Sequence, residues 1–255
     1  SLNYKLYGTG AGTEIKTTSV FYYSDKRAAL LSASEQISAA MNKSESYKGA
    51  VDLIALPVAE RLSTTFYVGA KGDEIADWSR NYKLFGEGAG EVVKTTSVFN
   101  YAALDDNNDE TGLVKRAALL SASEQIQSRM VTSESFRGDS MAEIDRLSTT
   151  FYVGAKGDEI ADYSFNYKLF GTGSGTEIKT TSIFYYNDKR APELSSQEQL
   201  SSAMNKSESF RGDSMAVIDR LSTTFYVGAK GDEMADYSLN YKLYGTGAGT
   251  EIKTT

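Results

Sequence analysis

The sequence predicts an α+β fold made of tandem repeats of a small module, in which an antiparallel β-hairpin sheet packs with one long and one short helix. Two observations support this prediction. One stretch occurs four times, beginning at Asn3, Asn81, Asn166 and Asn240. In the first three repeats, segments with period-two alternation are followed by a segment with helical spacing of apolar residues. A unit that recurs in this way is typical of a repeat protein.

Cuts placed before each Phe-Tyr-Val segment divide the chain into four parts. These parts are repeat 1 at 1–65, which lacks its first strand, repeat 2 at 66–150, repeat 3 at 151–224 and a partial repeat 4 at 225–255. Repeat 2 carries an acidic insert at 102–114, and repeat 1 has extra residues within 47–62. Because loops accept added length at small entropic cost, we expect both insertions to lie in loops. The sequence begins inside a repeat, so we expect it to be part of a longer protein or the product of processing.

The strand-forming part of each module comes first. We expect a short strand at 66–72, a polar turn at 73–79 and a second strand at 81–85. The glycine run that follows, at 8–12 in the first copy, is expected to form the flexible tip of a hairpin. A long strand at 14–23 comes next, with side chains that alternate between two faces.

Two helices are expected to complete the module. Leu30, Ile37 and Met41 have helical spacing, and the Ser-x-x-Glu sequence at 32–35 matches a capping box. The same box recurs at 121–124 and 195–198. A second, shorter helix is expected at 214–221, because its apolar residues also keep helical steps.

Composition argues against several functions. The 255 residues carry a net charge of −7, from 27 basic and 34 acidic residues, which disfavours nucleic acid as a partner. There is no Cys and no His, so thiol chemistry, the commonest general base and the commonest zinc ligand are missing. No apolar run is long enough to span a bilayer. The sequence therefore predicts a protein that is not an enzyme and has no cofactor, no metal site and no membrane span.

Two short motifs have a plain structural interpretation beside a functional one. The glycine run has the spacing G-x-G-x-G and precedes a strand, whereas a dinucleotide-binding loop has G-x-G-x-x-G and precedes a helix. The Arg-Gly-Asp tripeptides at 137–139 and 211–213 match an integrin adhesion motif. Because each precedes an expected helix, Gly ending one segment and Asp capping the next explains them, and we favour this interpretation over adhesion.

Acidic residues offer two further candidates. The Asp-Glu pair at 73–74 recurs at 158–159 and 232–233, and paired carboxylates can hydrolyse glycosides. The pair lies in an expected exposed turn, where nothing raises the pKa of a catalytic acid. The cluster at 105–110 could bind calcium, although it lacks the EF-hand spacing. We expect both sets to be solvated.

Aromatic residues give the strongest functional indication. The chain has 17 Tyr but only one Trp. Tyrosines fall on both faces of the hairpin strands, and tyrosine is favoured at interfaces because it joins a large contact area to a polar end. The candidate interaction surface comprises Tyr4, Tyr7, Phe21, Tyr22, Tyr23, Trp78, Tyr82, Phe99, Tyr101, Tyr163, Tyr167, Tyr185, Tyr186, Tyr237 and Tyr241.

The order of elements in repeat 2 resembles a known domain. A Phe-Tyr-Val-Gly segment at 66–69, a strand at 92–99 and a helix at 121–126 resemble the small C-terminal domain of phycobilisome linker polypeptides. The paired arginines of that family are replaced by Lys94 and Thr95. The resemblance implies a linker without catalytic activity in a light-harvesting antenna, associated with the thylakoid of a chloroplast.

These observations predict a tandem-repeat linker or scaffold that joins or organises protein subunits of a larger assembly. The alternative is a multivalent carbohydrate-binding protein, in which Tyr and Asp form an equivalent site in each repeat. A hydrolase built on carboxylates is the third hypothesis. Small-molecule ligands are not expected.

Overall fold

The computed structural model describes residues 1–4 and 11–253, which divide into two compact units. The first unit comprises 1–128 with 136–141, and the second comprises 129–135 with 142–255. The described residues form 16 β-strands, three α-helices of six residues each and six short 3-10 turns. Every described strand pairing is antiparallel, so each unit is a meander in which hydrogen-bonded strands largely follow chain order.

The first unit contains strands β1 to β8. Their bounds are β1 Leu2–Tyr4, β2 Ile15–Tyr23, β3 Lys26–Arg27, β4 Met41–Lys48, β5 Arg61–Val68, β6 Ile75–Tyr82, β7 Val93–Leu104 and β8 Glu110–Arg116. The sheet order is β1-β2-β4-β5-β6-β7, with β3 beside β2 and β8 beside β7. Helices α1 (Ala33–Ser38) and α2 (Ala122–Gln127) belong to this unit.

The second unit repeats the arrangement. Its strands are β9 Met130–Arg137, β10 Arg146–Val153, β11 Ile160–Tyr167, β12 Ile178–Tyr186, β13 Lys189–Arg190, β14 Met204–Arg211, β15 Arg220–Val227 and β16 Met234–Asn240. Of β9, residues 130–135 belong to this unit and the last two to the first unit. The sheet order is β9-β10-β11-β12-β14-β15-β16, with β13 beside β12. Helix α3 spans Ser196–Ser201.

The two sides of the sheet are defined by the alternation along β2. We call the side that carries Thr18, Val20 and Tyr22 the front face, and the side that carries Phe21 and Tyr23 the back face. Antiparallel register extends both faces from strand to strand, because directly opposed residues point to the same side. Within the first unit, the same positions of later strands therefore lie on the same faces. In the second unit we name the faces by the equivalent residues of β12, so that Thr181, Ile183 and Tyr185 lie on its front face.

A small apolar cluster lies on the back face of the second unit. Ile160, Tyr186, Ala191 and Leu194 are buried together, and the 3-10 turn that follows β13 supplies two of them. Arg190 anchors this turn by an ion pair with the buried Asp162 of β11. In the first unit, Arg116 makes the same ion pair with Asp77.

The α+β prediction is wrong, because the chain is almost entirely β-sheet. Residues 41–48 form strand β4 rather than the end of a helix, and α1 has only six residues. Leu30 and Ile37, whose spacing suggested a long helix, are 71% and 77% exposed, so the spacing does not mark a buried stripe. The short helix expected at 214–221 is a three-residue 3-10 turn followed by β15.

The expected polar turn at 73–79 is also wrong. Most of it belongs to β6, in which Ile75, Asp77 and Ser79 are buried while the residues between them are half-buried. The alternation is therefore present, but polar residues occupy the buried side. The long strand is confirmed, since β2 spans Ile15–Tyr23. All three capping boxes are confirmed as well.

The capping boxes affect acid–base behaviour. In α2, Glu124 accepts the backbone N–H of Ser121 at 2.8 Å, and Lys115 Nζ lies 3.0 Å from its carboxylate. These contacts, the Ser121 backbone first, lower the pKa of Glu124 to about 2. Each six-residue helix thus depends on its cap more than on its length, because short helices are marginal alone.

The glycine loops are packed connections. In the second unit, Gly171, Gly173 and Gly175 have positive φ, and a Cβ on Gly175 would overlap the carbonyl oxygen of Glu143. Ser174 Oγ also donates to the Ile144 carbonyl at 2.9 Å. The loop therefore rests on the 3-10 turn before β10 instead of forming a free hairpin tip. Much of the first copy, at 5–10, lies outside the described residues.

This packing predicts different effects for two glycine substitutions in one loop. Gly175→Ala should destabilise the protein by at least about 2 kcal/mol more than Gly171→Ala, because overpacking against backbone adds to left-handed strain. Gly171 has a φ of 78°, and no neighbouring atom lies within 4 Å of the place that a methyl group would take, so its substitution reports strain alone. Urea unfolding of both variants measures the difference, and equal losses would contradict the packed loop.

Candidate functional site

A stacked pair of aromatic rings recurs on the front face. Cross-strand register places Phe66 opposite Trp78, and their ring centroids lie 4.0 Å apart at an interplanar angle of 13°. The second unit contains two equivalent pairs. These are Phe151 with Tyr163 at 4.4 Å and Phe225 with Tyr237 at 4.7 Å. The recurrence follows from the repeat, because each pair joins the same positions of two neighbouring strands.

The free faces of these rings differ between copies. In the first unit, the Arg80 guanidinium lies 4.8 Å from the Trp78 ring centroid, so Trp78 contacts a ring and a cation. Phe165 packs edge-on against both Phe151 and Tyr163 in the second unit. Tyr237 is 51% exposed and is more open than Trp78 or Tyr163 at the equivalent positions. The front face of each unit therefore presents stacked rings, and their accessibility differs from pair to pair.

An arginine at the start of every Leu-Ser-Thr-Thr strand fixes the front face. Arg146 donates through Nη1 to Glu134 of β9 at 3.0 Å and through Nε to the Gly175 carbonyl at 3.0 Å. Its guanidinium also lies 4.4 Å from the Tyr167 ring centroid. One side chain thus connects a preceding strand, a following strand and a glycine loop.

The same contacts recur in the other two copies. Arg220 bonds Glu208 at 2.9 Å and the Gly249 carbonyl at 3.0 Å, and it lies over the Tyr241 ring at 4.4 Å. In the first unit, Arg61 contacts the Gly90 carbonyl and the Tyr82 ring in the same way, and its Nη1 lies 3.6 Å from a Glu45 oxygen as an ion pair. We call this arrangement the arginine bridge. It is a structural element of each repeat.

A tyrosine–glutamate contact adjoins the arginine bridge. Tyr185 donates to Glu208 at 2.9 Å, and Tyr22 donates to Glu45 at 2.8 Å. Burial and then the carboxylate raise the pKa of each of these tyrosines to about 12. Burial of Glu45 is outweighed by hydrogen bonds from Tyr47 and Tyr22, so the pKa of Glu45 is lowered.

The structure separates the sequence-predicted aromatic residues into two sets. Nine lie on the front face by strand alternation: Tyr4, Tyr22, Trp78, Tyr82, Tyr163, Tyr167, Tyr185, Tyr237 and Tyr241. Five lie on the back face: Phe21, Tyr23, Phe99, Tyr101 and Tyr186. Tyr7 lies outside the described residues. In each unit, the predicted residues therefore fall on two opposite sides of the sheet.

Burial divides the candidates again. Five of the tyrosines are 6–8% exposed and serve as packing: Tyr82, Tyr101, Tyr167, Tyr186 and Tyr241. The exposed or half-exposed members of the front face are Tyr4, Tyr22, Trp78, Tyr163, Tyr185 and Tyr237. These six remain available to a partner.

Sequence reasoning missed the residues that hold this surface together. It places the stacking partners Phe66, Phe151 and Phe225 in a strand but not in a site, and it does not single out the three bridging arginines or their glutamates. Their recurrence at equivalent places of each repeat was a usable signal, because Glu followed about a dozen residues later by Arg is kept in repeats 2 and 3.

Other motifs have structural roles. Glu74 accepts the backbone N–H groups of Met41 and Gly72, both at 2.9 Å, and so joins β4 to the turn between β5 and β6. Asp139 of one Arg-Gly-Asp tripeptide binds Arg80 through two hydrogen bonds. Arg211 of the other pairs with Asp219 at 2.7 Å. Each tripeptide thus has at least one charged member in an ion pair.

The acidic insert at 102–114 extends the β7–β8 hairpin, with 102–104 and 110–114 in the strands and only 105–109 in the turn, so the expectation that it lies in a loop is wrong. Asp105 accepts the backbone N–H groups of Asn107 and Asp109 at 2.8 and 3.0 Å. Within 1–4 and 11–253, no group of three or more Asp or Glu residues is arranged to hold a metal ion. Among those same residues, no helix has the length and apolar character needed to cross a membrane.

No protein-family model matches the chain, and no curated protein matches it. The resemblance to phycobilisome linkers therefore stays a prediction without independent support. The expectation of a phycobilisome or photosynthetic role is withdrawn, because it was built on an α+β order of elements and the chain is nearly all sheet. In particular, residues 73–79, interpreted as a turn, lie mostly in a strand.

The arginine bridge predicts a large cost for a conservative substitution. Arg146→Lys should destabilise the protein by about 1–3 kcal/mol, because lysine cannot make the divergent contacts to Glu134 and Gly175 together. Arg80→Lys is the matched control, since it alters a more exposed ion pair worth less than about 1 kcal/mol. Chemical denaturation measures both, and equal effects would argue against a bridging role.

The raised tyrosine pKa values predict loss of stability in alkali. A tyrosine whose folded pKa lies above its unfolded value contributes stability below pH 10 that is lost as the pH rises towards 12. Glu208→Gln should move the ionisation of Tyr185 to lower pH but leave it above 10, because burial is the larger cause. Ultraviolet titration of tyrosinate, with Tyr185→Phe to assign the signal, measures this. An unmoved titration would contradict the contact.

Proposed function

We propose that this chain is a repeat scaffold without catalytic activity, which organises protein subunits of a larger assembly through the front face. The observation that supports this proposal is the stacked aromatic pair, which recurs at the same place in successive repeats. In the second unit, the two pairs are separated by four strand steps, or about 19 Å. A surface that repeats at this interval suits identical subunits bound side by side.

The composition of the surface favours a protein partner. Aromatic rings and arginines are enriched at the centres of protein interfaces, and both occur here beside buried or half-buried carboxylates. Their side chains are held by stacking and by the arginine bridge, so little conformational entropy is lost on binding. Several weak contacts on one chain would add through effective concentration.

Carbohydrate binding remains the second candidate, and Tyr237 is the reason for keeping it. A sugar that stacks on an aromatic ring needs a free ring face. Trp78 has Phe66 stacked on it and Arg80 4.8 Å away, so it is poorly suited to this contact. Tyr237 is half-exposed and stacks only on Phe225 among the described rings.

Photo-crosslinking at equivalent positions tests the scaffold. A photoreactive phenylalanine is placed at Trp78, Tyr163 or Tyr237, and each variant is irradiated in the cells that naturally produce the chain. All three variants should capture the same protein. The control position is Leu119, which is 70% exposed and lies in a 3-10 turn. Different proteins at the three positions, or capture of the same protein at Leu119, would contradict the proposal.

A glycan titration distinguishes the carbohydrate-binding function from the scaffold function. Saturable binding of a sugar that Tyr237→Ser abolishes, with no common crosslinked protein, would favour the carbohydrate-binding function. The scaffold predicts no glycan binding.

A further inference from the structure

Charge is distributed unevenly over the two faces of the first unit. The chain has a net charge of −7, yet basic residues predominate on the front face of strands β2, β4, β5, β6 and β7. Among the described residues of these strands, the back face carries Lys48 and Asp77 alone. Strand alternation and the contacts of the bridging arginine place five basic residues and one acidic residue on the front face: Lys16, Lys43, Arg61, Arg80, Lys94 and Glu45.

The second unit has the same excess of basic residues. The front face of β9 to β12 and β14 to β16 carries four basic and two acidic residues, namely Arg146, Lys179, Lys206, Arg220, Glu134 and Glu208. The arginines and glutamates belong to the arginine bridge, and Lys206 lies over the Tyr185 ring. Lys179 takes no part in these contacts.

One lysine position of the repeat is therefore left open. Lys94 of β7 and Lys179 of β12 occupy equivalent places, and both are exposed. Within 1–4 and 11–253, neither side chain makes a hydrogen bond, an ion pair or a ring contact. Both lysines have described strands on either side, so their exposure belongs to the interior of the sheet. Each can pair with a carboxylate from outside the chain.

Each of these lysines lies at the same separation from a stacked aromatic pair. Trp78 is directly opposite Val98 of β7, and Lys94 is four residues before Val98 on the same face. In the second unit, Tyr163 and Lys179 are related in the same way. At about 3.4 Å per residue, ring and lysine are about 14 Å apart along the strand. The front face thus repeats two features at one spacing, an aromatic surface and an unpaired cation.

We propose that the subunit bound by the front face presents an acidic segment, with a large apolar side chain on the stacked rings and a carboxylate on the lysine. This inference rests on the proposed scaffold function and specifies the chemistry of the partner. A carboxylate suits the face because it accepts hydrogen bonds from an ammonium group and complements the excess of basic residues. Four extended residues span about 14 Å, so an apolar residue followed four positions later by Glu or Asp fits both features.

The arrangement of charges favours an acidic protein over a nucleic acid or a sulfated polysaccharide. Such polymers neutralise several lysines and arginines close together. The open lysines here occur singly, one in repeat 2 and one in repeat 3. Glu45, Glu134 and Glu208 lie on the same face and are buried or half-buried. These carboxylates would repel a chain of phosphates or sulfates, whereas a protein can place single carboxylates between them.

Two synthetic peptides test this chemistry on the whole 255-residue chain. One carries Phe followed four residues later by Glu, and the other has Lys in place of that Glu. Trp78 is the only tryptophan, so its fluorescence reports binding at the first unit. The Glu peptide should bind about threefold to tenfold tighter than the Lys peptide, and the preference should reverse in Lys94→Glu. Equal affinities, binding of neither peptide, or an unreversed preference would overturn the inference.

Crosslinking applies the same substitution to the natural partner. In chains that carry the photoreactive residue at Trp78 or Tyr163, Lys94→Glu or Lys179→Glu respectively should lower capture about threefold or more. Lys94→Arg keeps the charge and should capture as the parent chain does. Lys48→Glu is the matched control, because it makes the same change of charge at an exposed lysine of the back face. It should leave capture unchanged.

Failure of this inference differs from failure of the scaffold function. If the parent chains capture no common protein, the scaffold function fails, and the peptide preference alone decides the chemistry of the face. If capture is equal with and without Lys94→Glu, or falls as much with Lys48→Glu, the inference is overturned and the scaffold stands. Saturable binding of heparin or duplex DNA that displaces the captured protein would also overturn it. Circular dichroism of Lys94→Glu should match the parent chain, because Lys94 is exposed.

Discussion

The arginine bridge is the contact on which the front face depends. Each bridging arginine begins a strand and connects the glutamate of the preceding strand, the tyrosine of the following strand and a glycine loop. Long side chains such as arginine, lysine and tyrosine cover apolar surface with their stems while their polar ends reach water. A sheet can therefore bury part of one face under its own side chains. Removing the arginine would expose the glutamate and release the loop together.

The back face is stabilised differently. There, a 3-10 turn and the leucine that follows it bring apolar side chains onto the strands, and a buried aspartate holds the turn through an arginine. Each such contact needs a neighbouring strand in the right place. The repeat therefore stabilises its neighbour as much as itself, which is the general property of proteins built from stacked repeats.

Prediction from sequence succeeded where the signal was local. The capping box at Ser121 and Glu124 and the strand at Ile15–Tyr23 need only neighbouring residues to be recognised. It failed where the polar residues of a strand are buried. Asp77 and Ser79 resemble turn residues because they are small and polar, yet they are buried by an ion pair and by packing from distant parts of the chain. Likewise, Tyr22 and Tyr23 belong to one predicted surface although they lie on opposite faces.

The sequence by itself determined the repeat, its copies, the insertions that distinguish them and the recurrence of aromatic residues. It did so because these properties are read from residue order alone. Tertiary structure decided that the module is a sheet, which tyrosines are buried, and that Phe66 stacks on Trp78. Strand pairing brings together residues far apart in the chain, and a single-residue shift of register would move each side chain to the other face. The contacts that define the candidate surface therefore exist only in the folded sheet.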